Sequence, residues 1–155
     1  MSGWRALELC PQLIFVGGHF QDYQRLGDAA IDMLNDFTPL VERISIDEAF
    51  ADVAGCTHLF GPPLEIAKKV RRRVRAELDL SMSIGVARTK HLAKIASQVA
   101  KPDGLVVVDP ETELDFLHDL PVELMWGVGP VTPRATRQKR YSHHWAAGQD
   151  ARMVA

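Results

Sequence analysis

Val41-Glu-Arg-Ile-Ser-Ile-Asp-Glu-Ala-Phe-Ala-Asp-Val53 is the stretch on which the fold turns. It reads as two short apolar strands, 41–46 and 50–53, that meet near the adjacent carboxylates Asp47 and Glu48. Neighbouring side chains of an extended strand point to opposite faces, so both carboxylates reach one site only if the chain bends there. A turn at Asp47-Glu48 is therefore expected. The flanks Ile44, Ile46, Ala49 and Phe50 are apolar. A carboxylate placed among apolar residues needs a partner, and a bound cation is one. Taken alone, an Asp-Glu pair is more often an exposed strand end or turn.

Working outward, strands and helices alternate. Upstream, residues 13–16 read as a strand closed by Gly17-Gly18, and Tyr23 to Phe37 as a helix with Leu26, Ala30, Ile31, Met33 and Leu34 at helical spacing. Downstream, Leu64, Ala67, Val70, Val74 and Leu78 share one face of a helix that follows Gly61-Pro62-Pro63. Residues 81–87 make a buried strand. Thr89 caps a helix with Leu92, Ile95, Ala96 and Val99 turned inward, and Pro102-Asp103-Gly104 stops it. Residues 105–108 are a strand and 113–118 a short helix. This order predicts a layered α/β or α+β sandwich. From Pro133 on, the sequence loses periodicity and aliphatic content, and a tail outside the fold is expected.

Composition sets bounds. With 155 residues, 46% hydrophobic and 25% charged, the chain is long and apolar enough for one packed core. No apolar run is long enough to span a bilayer, and the N-terminus lacks the layout of a secretory signal. Cys10 and Cys56 lack metal-ligand spacing and read as small buried hydrophobes in a reducing, cytoplasmic setting. His143-His144 reads as a solvated pair, since no acidic or thiol partner stands at ligand spacing.

Charge is distributed unevenly. Residues 1–66 carry three basic and ten acidic side chains, residues 67–101 ten and two, and residues 102–155 five and eight. A basic stretch of +8 inside a chain of net −2 is the footprint expected of a phosphate-rich partner, with steep salt dependence. For the run Lys68, Lys69, Arg71, Arg72, Arg73 and Arg75 taken alone, the solvated face of an amphipathic helix is the preferred reading. Lys90, Lys94 and Lys101 fall on nearly one helical face, opposite Leu92 and Val99. They are either the polar face any soluble helix needs or a row of phosphate contacts. Lys101 stands where the helix must break, which fixes it more firmly than a lysine in mid-helix. Trp126-Gly-Val-Gly-Pro-Val-Thr132 is either a tight turn or a backbone cradle for phosphate. Paired carboxylates and ordered lysines together suggest metal-dependent phosphoryl chemistry on nucleotides.

Four segments appear in one order and spacing: Val41 to Val53, Ser83-Ile-Gly-Val-Ala-Arg-Thr-Lys-His-Leu-Ala-Lys-Ile-Ala-Ser97, Lys101-Pro-Asp-Gly-Leu105, and Leu120-Pro-Val through Trp126-Gly-Val-Gly129. As a set they resemble a Y-family translesion DNA polymerase of the bacterial DNA polymerase IV (DinB-type) branch, over roughly residues 1–132. The resemblance implies an α+β fold, a ferredoxin-like polymerase palm with a partial helical thumb. Its parts would be a remnant of the fingers at 1–18, the palm at 19–108, a partial thumb entering a helix-hairpin-helix at 109–132, and an unrelated tail at 133–155. It implies error-prone DNA-directed DNA polymerase activity with two Mg²⁺ ions. Asp47 would bridge both ions, and catalytic Glu48 would hold the ion that activates the primer 3′-hydroxyl. Lys101 would meet the incoming triphosphate, while Lys90, Lys94, Gly127 and Gly129 would contact DNA. Implied partners are primer–template DNA, deoxynucleoside triphosphates and, in the full-length family, a sliding clamp, with no membrane and a cytoplasmic, nucleoid-associated place. The family's first metal aspartate, its steric-gate aromatic and its Tyr/Arg pair have no counterpart in this chain. The strand bearing that aspartate lies inside the family's sheet, so an open strand edge and marginal stability are expected. A non-catalytic DNA-binding remnant and a Mg²⁺–nucleotide regulatory domain are the alternative readings.

Overall fold

Amphipathic helices with one apolar stripe and short strands buried on both faces have few ways to hide those surfaces, and a layered sandwich is one of them. A computed structural model of the chain describes residues 1–121 and 124–126 and the backbone of residues 152–154. The helices are α1 (Gly3–Leu9), α2 (Phe20–Asn35), α3 (Thr57–Phe60), α4 (Pro63–Leu78), α5 (Lys90–Val99) and α6 (Glu113–His118). The strands are β1 (Val41–Arg43), β2 (Ala49–Asp52), β3 (Ile84–Ala87), β4 (Leu105–Val107) and β5 (Arg152–Val154). They form one sheet in the order β1-β2-β5-β3-β4. β1–β2, β2–β5 and β5–β3 are antiparallel, and β3–β4 is parallel.

Alternation along the strands divides the core. Ala49, Ala51, Val53, Ile84 and Val86 face α2 and α4, meeting Leu34, Ile66, Val70 and Val74. Phe50 and Ala87 face the other way, with Leu92, Ala93 and Ala96 of α5 and with Val108. The result is three layers, with the sheet between the α2/α4 pair and α5. Gly85 sets the spacing of the lower layer, because a Cβ there would stand 2.1 Å from the Ala93 carbonyl oxygen and 2.3 Å from the Ser97 nitrogen. A Thr89 side-chain cap on the Leu92 N–H starts α5 as expected.

Several expectations need correction. Residues 13–16 form no strand, and Ile14 and Val16 are 82% and 84% exposed. An apolar tetrapeptide becomes a strand only beside a partner strand, and among the described residues none reaches it. Val99 and Leu64 stand at the exposed margin of their helices, at 38% and 37% exposure, because the apolar stripes of α5 and α4 are narrower than their spacing suggests. Cys10 and Cys56 are half-buried rather than buried. The largest difference concerns 133–155. Residues 152–154, expected outside the fold, form β5 and complete the hydrogen-bonding rows of both β2 and β3. The edge expected to stand open is thereby paired. The remainder of 133–155, and Gly127 and Gly129, lie outside the described residues.

Candidate metal and phosphate site

Topology brings the predicted residues together. Pairing places Phe50 and Gly85 both opposite Val154, and Ile84 beside Leu105, so β2, β3 and β4 all begin at one end of the sheet. Asp47-Glu48 precede β2, Ser81–Ser83 precede β3, and Lys101–Gly104 precede β4. These three connections line one depression, which includes Asp47, Glu48, Ser83, Ser97, Lys101 and Asp103.

The carboxylate turn is held from several sides. The Ile44 and Ser45 N–H groups donate to the Glu48 carbonyl at 2.9 and 3.2 Å, closing the bend that the carboxylate pair requires. The Ser45 hydroxyl donates to Asp47 Oδ1 at 2.7 Å. Arg43 donates from Nε to the Ser45 carbonyl at 2.9 Å and from a terminal nitrogen to the Ile46 carbonyl at 3.1 Å. Its other terminal nitrogen is paired with Asp28 on α2. Gly27, one residue before Asp28, lets the helix lie against the turn, since a Cβ there would stand 2.1 Å from the Ile46 carbonyl oxygen. Asp47 itself is exposed and Glu48 half-buried.

The lysines separate. Lys94 is only 7% exposed and forms an ion pair with Glu48. The sequence pattern places it on a polar face, but β2 and its approach cover that face of α5. Lys90 is paired with Glu42 and sits 5.5 Å from the centre of the Phe50 ring. Lys101 is exposed at the rim of the depression, and among the described residues its ammonium has no ion pair or side-chain hydrogen bond. The basic stretch as a whole is largely neutralised. Lys68, Arg71, Arg73, Arg75, Arg88, Lys90 and Lys94 pair with Glu65, Asp103, Asp36 or Glu77, Asp103, Glu113, Glu42 and Glu48 respectively. The acidic flanks fold back onto it.

Charge neighbours set the titration of the surrounding carboxyls. A hydrogen bond from Arg71, then one from Arg75, holds Asp103 below the ordinary aspartate value of 3.8. Arg43 and then Gln24 do the same for Asp28. Two hard carboxylates on one turn suit a hydrated Mg²⁺, which accepts one or two protein carboxylates and keeps several waters. Among the described residues no cluster of three or more His, Cys, Asp or Glu groups able to hold a metal ion gathers. Sequence reasoning missed Arg43, Asp28 and Gly27. A glycine inside an amphipathic helix was the available signal, because it costs about 1 kcal/mol against alanine and calls for a packing reason.

Residues 1–98 match the impB/mucB/samB family. Over 132 residues the chain is 82% identical to DNA polymerase IV 2 of Mesorhizobium japonicum, covering 85% of this chain and 32% of that protein. It is 45% identical over 134 residues to DNA polymerase IV of Bacteroides fragilis, covering 86% and 37%. The chain thus spans about a third of the length of these relatives. Among solved structures it is similar to DinB from Sulfolobus solfataricus, with a TM-score of 0.77, 30% identity and coverage of 87% and 40%. An insertion ternary complex of Dbh DNA polymerase matches with a TM-score of 0.75, 30% identity and the same coverage of 87% and 40%.

Proposed function

Because the chain belongs to the impB/mucB/samB family of Y-family polymerases, we propose that it is the palm-bearing part of an error-prone translesion DNA polymerase. Its reaction is template-directed nucleotidyl transfer from deoxynucleoside triphosphates to a primer. The observation that carries this reading is the convergence of Asp47, Glu48 and Lys101 on one depression. Opposite charges on separate chain segments frame a space suited to a metal-bound triphosphate. By resemblance to that family, Asp47 and Glu48 would hold the Mg²⁺ ions, Glu48 on the side of the primer 3′-hydroxyl. Mg²⁺, when bound, supplies charge neutralisation at the transferring phosphoryl group and lowers the pKa of the attacking hydroxyl. Lys101 meets the triphosphate, where its compact charge opposes the negative charge that collects on the departing pyrophosphate. Gly127 and Gly129 are assigned by resemblance to the turn that grips the DNA backbone, and Lys90 to the duplex only after exchange of its Glu42 partner. Domain limits of 1–18, 19–108 and 109–132 for fingers, palm and thumb follow from the same resemblance.

A second reading has one specific support, that no group of three or more His, Cys, Asp or Glu able to hold a metal ion gathers among the described residues. On that reading the chain holds Mg²⁺–nucleotide without transferring it. A primer-extension gel with Mg²⁺ or Mn²⁺ and all four nucleotides separates the two, run beside calorimetric titration with dATP–Mg²⁺. The polymerase reading expects extension that Asp47→Asn and Glu48→Gln abolish, either by this chain or by a longer chain that carries the N-terminal segment of the Mesorhizobium relative. Binding without extension by either chain supports the second reading. Binding unaffected by Asp47→Asn and Lys101→Ala overturns both.

A further inference from the structure

Lys101 is only as well placed as the turn that carries it, and that turn is held from a distant helix. Arg71 and Arg75 lie one turn apart on α4, on the same face. Arg71 donates from Nε to the Met82 carbonyl at 2.9 Å. One of its terminal nitrogens donates to the Asp103 carbonyl at 2.5 Å and to Asp103 Oδ1 at 3.0 Å. Arg75 donates to Asp103 Oδ2 at 2.6 Å. Both carboxylate oxygens of Asp103 are therefore engaged, and Asp103 adopts a left-handed backbone with φ of 47°. Asp103 stands two residues beyond Lys101, and both line the depression that holds Asp47 and Glu48.

Arg71 bonds two of the connections that frame the depression, the one before β3 through Met82 and the one before β4 through Asp103. Its side chain is 26% exposed, about half the exposure of Arg75 at 50%. A solvated helix face would not need a planar fork aimed at two carbonyls and a carboxylate. That geometry belongs to arginine and not to lysine. We propose that Arg71, through Asp103 and Met82, is the positioning residue that fixes the Lys101 turn against the carboxylates, so that the lysine meets a metal-bound triphosphate at a set distance. Arg75 closes the second carboxylate oxygen and plays the lesser part. This rests on the assignment of Lys101 to the triphosphate.

The test is the affinity of the full chain for dATP–Mg²⁺, measured by calorimetry on variants whose urea melts show them folded. Lys101→Ala is expected to weaken binding about tenfold, the usual value of one charge-assisted contact. Arg71→Met is expected to weaken it several-fold, and Arg71→Lys to weaken it nearly as much, since lysine keeps the charge but loses the fork. The decisive arm is the double variant Arg71→Met/Lys101→Ala, expected to bind no more weakly than Lys101→Ala alone. If the two losses add, Arg71 acts on binding by another route and the proposal is wrong. If Arg71→Lys binds like the parent, charge and not positioning is its contribution, and the proposal is equally wrong. Should Arg71→Met fail to fold, Asp103→Gly cuts the same link from the other side in a residue that tolerates the left-handed backbone. Nucleotide binding indifferent to Lys101→Ala would instead defeat the assignment of Lys101 itself, a separate outcome from an indifferent Arg71.

Discussion

Glu48 carries two duties that a single substitution confuses. It is the candidate metal ligand, and it is also the partner of Lys94, a residue only 7% exposed. Removing one member of a buried pair strands the other, which is more damaging than losing both. Glu48→Ala is therefore expected to destabilise the chain by about 2 kcal/mol, and Lys94→Met/Glu48→Ala to recover part of that loss, as read by urea melts in a double-mutant cycle. Glu48→Gln, which keeps an acceptor for Lys94, is the cleaner probe of metal binding. Acid response belongs to the same scale. Asp103 and Asp28 are held below 3.8 by Arg71 and Arg43. A folded value below the unfolded one means that their contribution is complete above 3.8 and is lost as pH falls through the folded value. The urea midpoint should hold steady from neutral pH toward 4 and decline below it, less steeply in Asp103→Asn. The turn at Asp47-Glu48 and the break at Lys101 were legible in the sequence because each is marked by its own local punctuation. Arg71 was not, since its partners Met82 and Asp103 are 11 and 32 residues away in sequence and no helical pattern reports them.

At the scale of elements, two glycines decide how closely helix and sheet approach, and one of them bears on the site. Gly27→Ala places a methyl group where the Ile46 carbonyl lies, and backbone cannot give way as a flexible side chain can. The expected result is a turn pushed off α2 at a cost of about 2 kcal/mol, with weakened Mg²⁺ binding. Amide chemical shifts of Ser45 to Glu48 should move more than those of β3 or α5, and a uniform change across the chain would contradict this. The element pattern was largely readable. α2, α4, α5 and α6 follow from apolar spacing and punctuation, and β2, β3 and β4 from short apolar runs. What failed was the run at 13–16, where local hydrophobicity was present but a partner strand was not. Strand formation is a property of pairs, and single-sequence patterning sees one member only.

For the whole molecule, the basic stretch predicts steeply salt-dependent contact with nucleic acid, and the folded chain has answered most of that charge itself. Seven of the ten cations in 67–101 are in ion pairs. Phosphate must compete with those partners, so DNA binding through residues 67–101 should show a log–log salt slope no steeper than roughly −3, the value for the three cations of that stretch without an ion pair among the described residues. Fluorescence anisotropy across a salt series reads it directly, and a slope near −8 would mean that the pairs open freely. Segment sums of charge are legible in a sequence, but their cancellation across the fold is not. The sheet has a comparable long-range dependence. The β1–β2 ladder leads into Asp47 and Glu48, the β3–β4 ladder adjoins Lys101 and Asp103, and β5 is the row between them. Its register is read twice, with Val154 against Phe50 on one side and against Gly85 on the other. Strand register changes in steps of two residues, about 7 Å, because a one-residue slip would turn every side chain over. The single register of β5 thus fixes the gap between the Asp47-Glu48 turn and the Lys101 turn, and a slip would change that gap by a whole step rather than by a fraction.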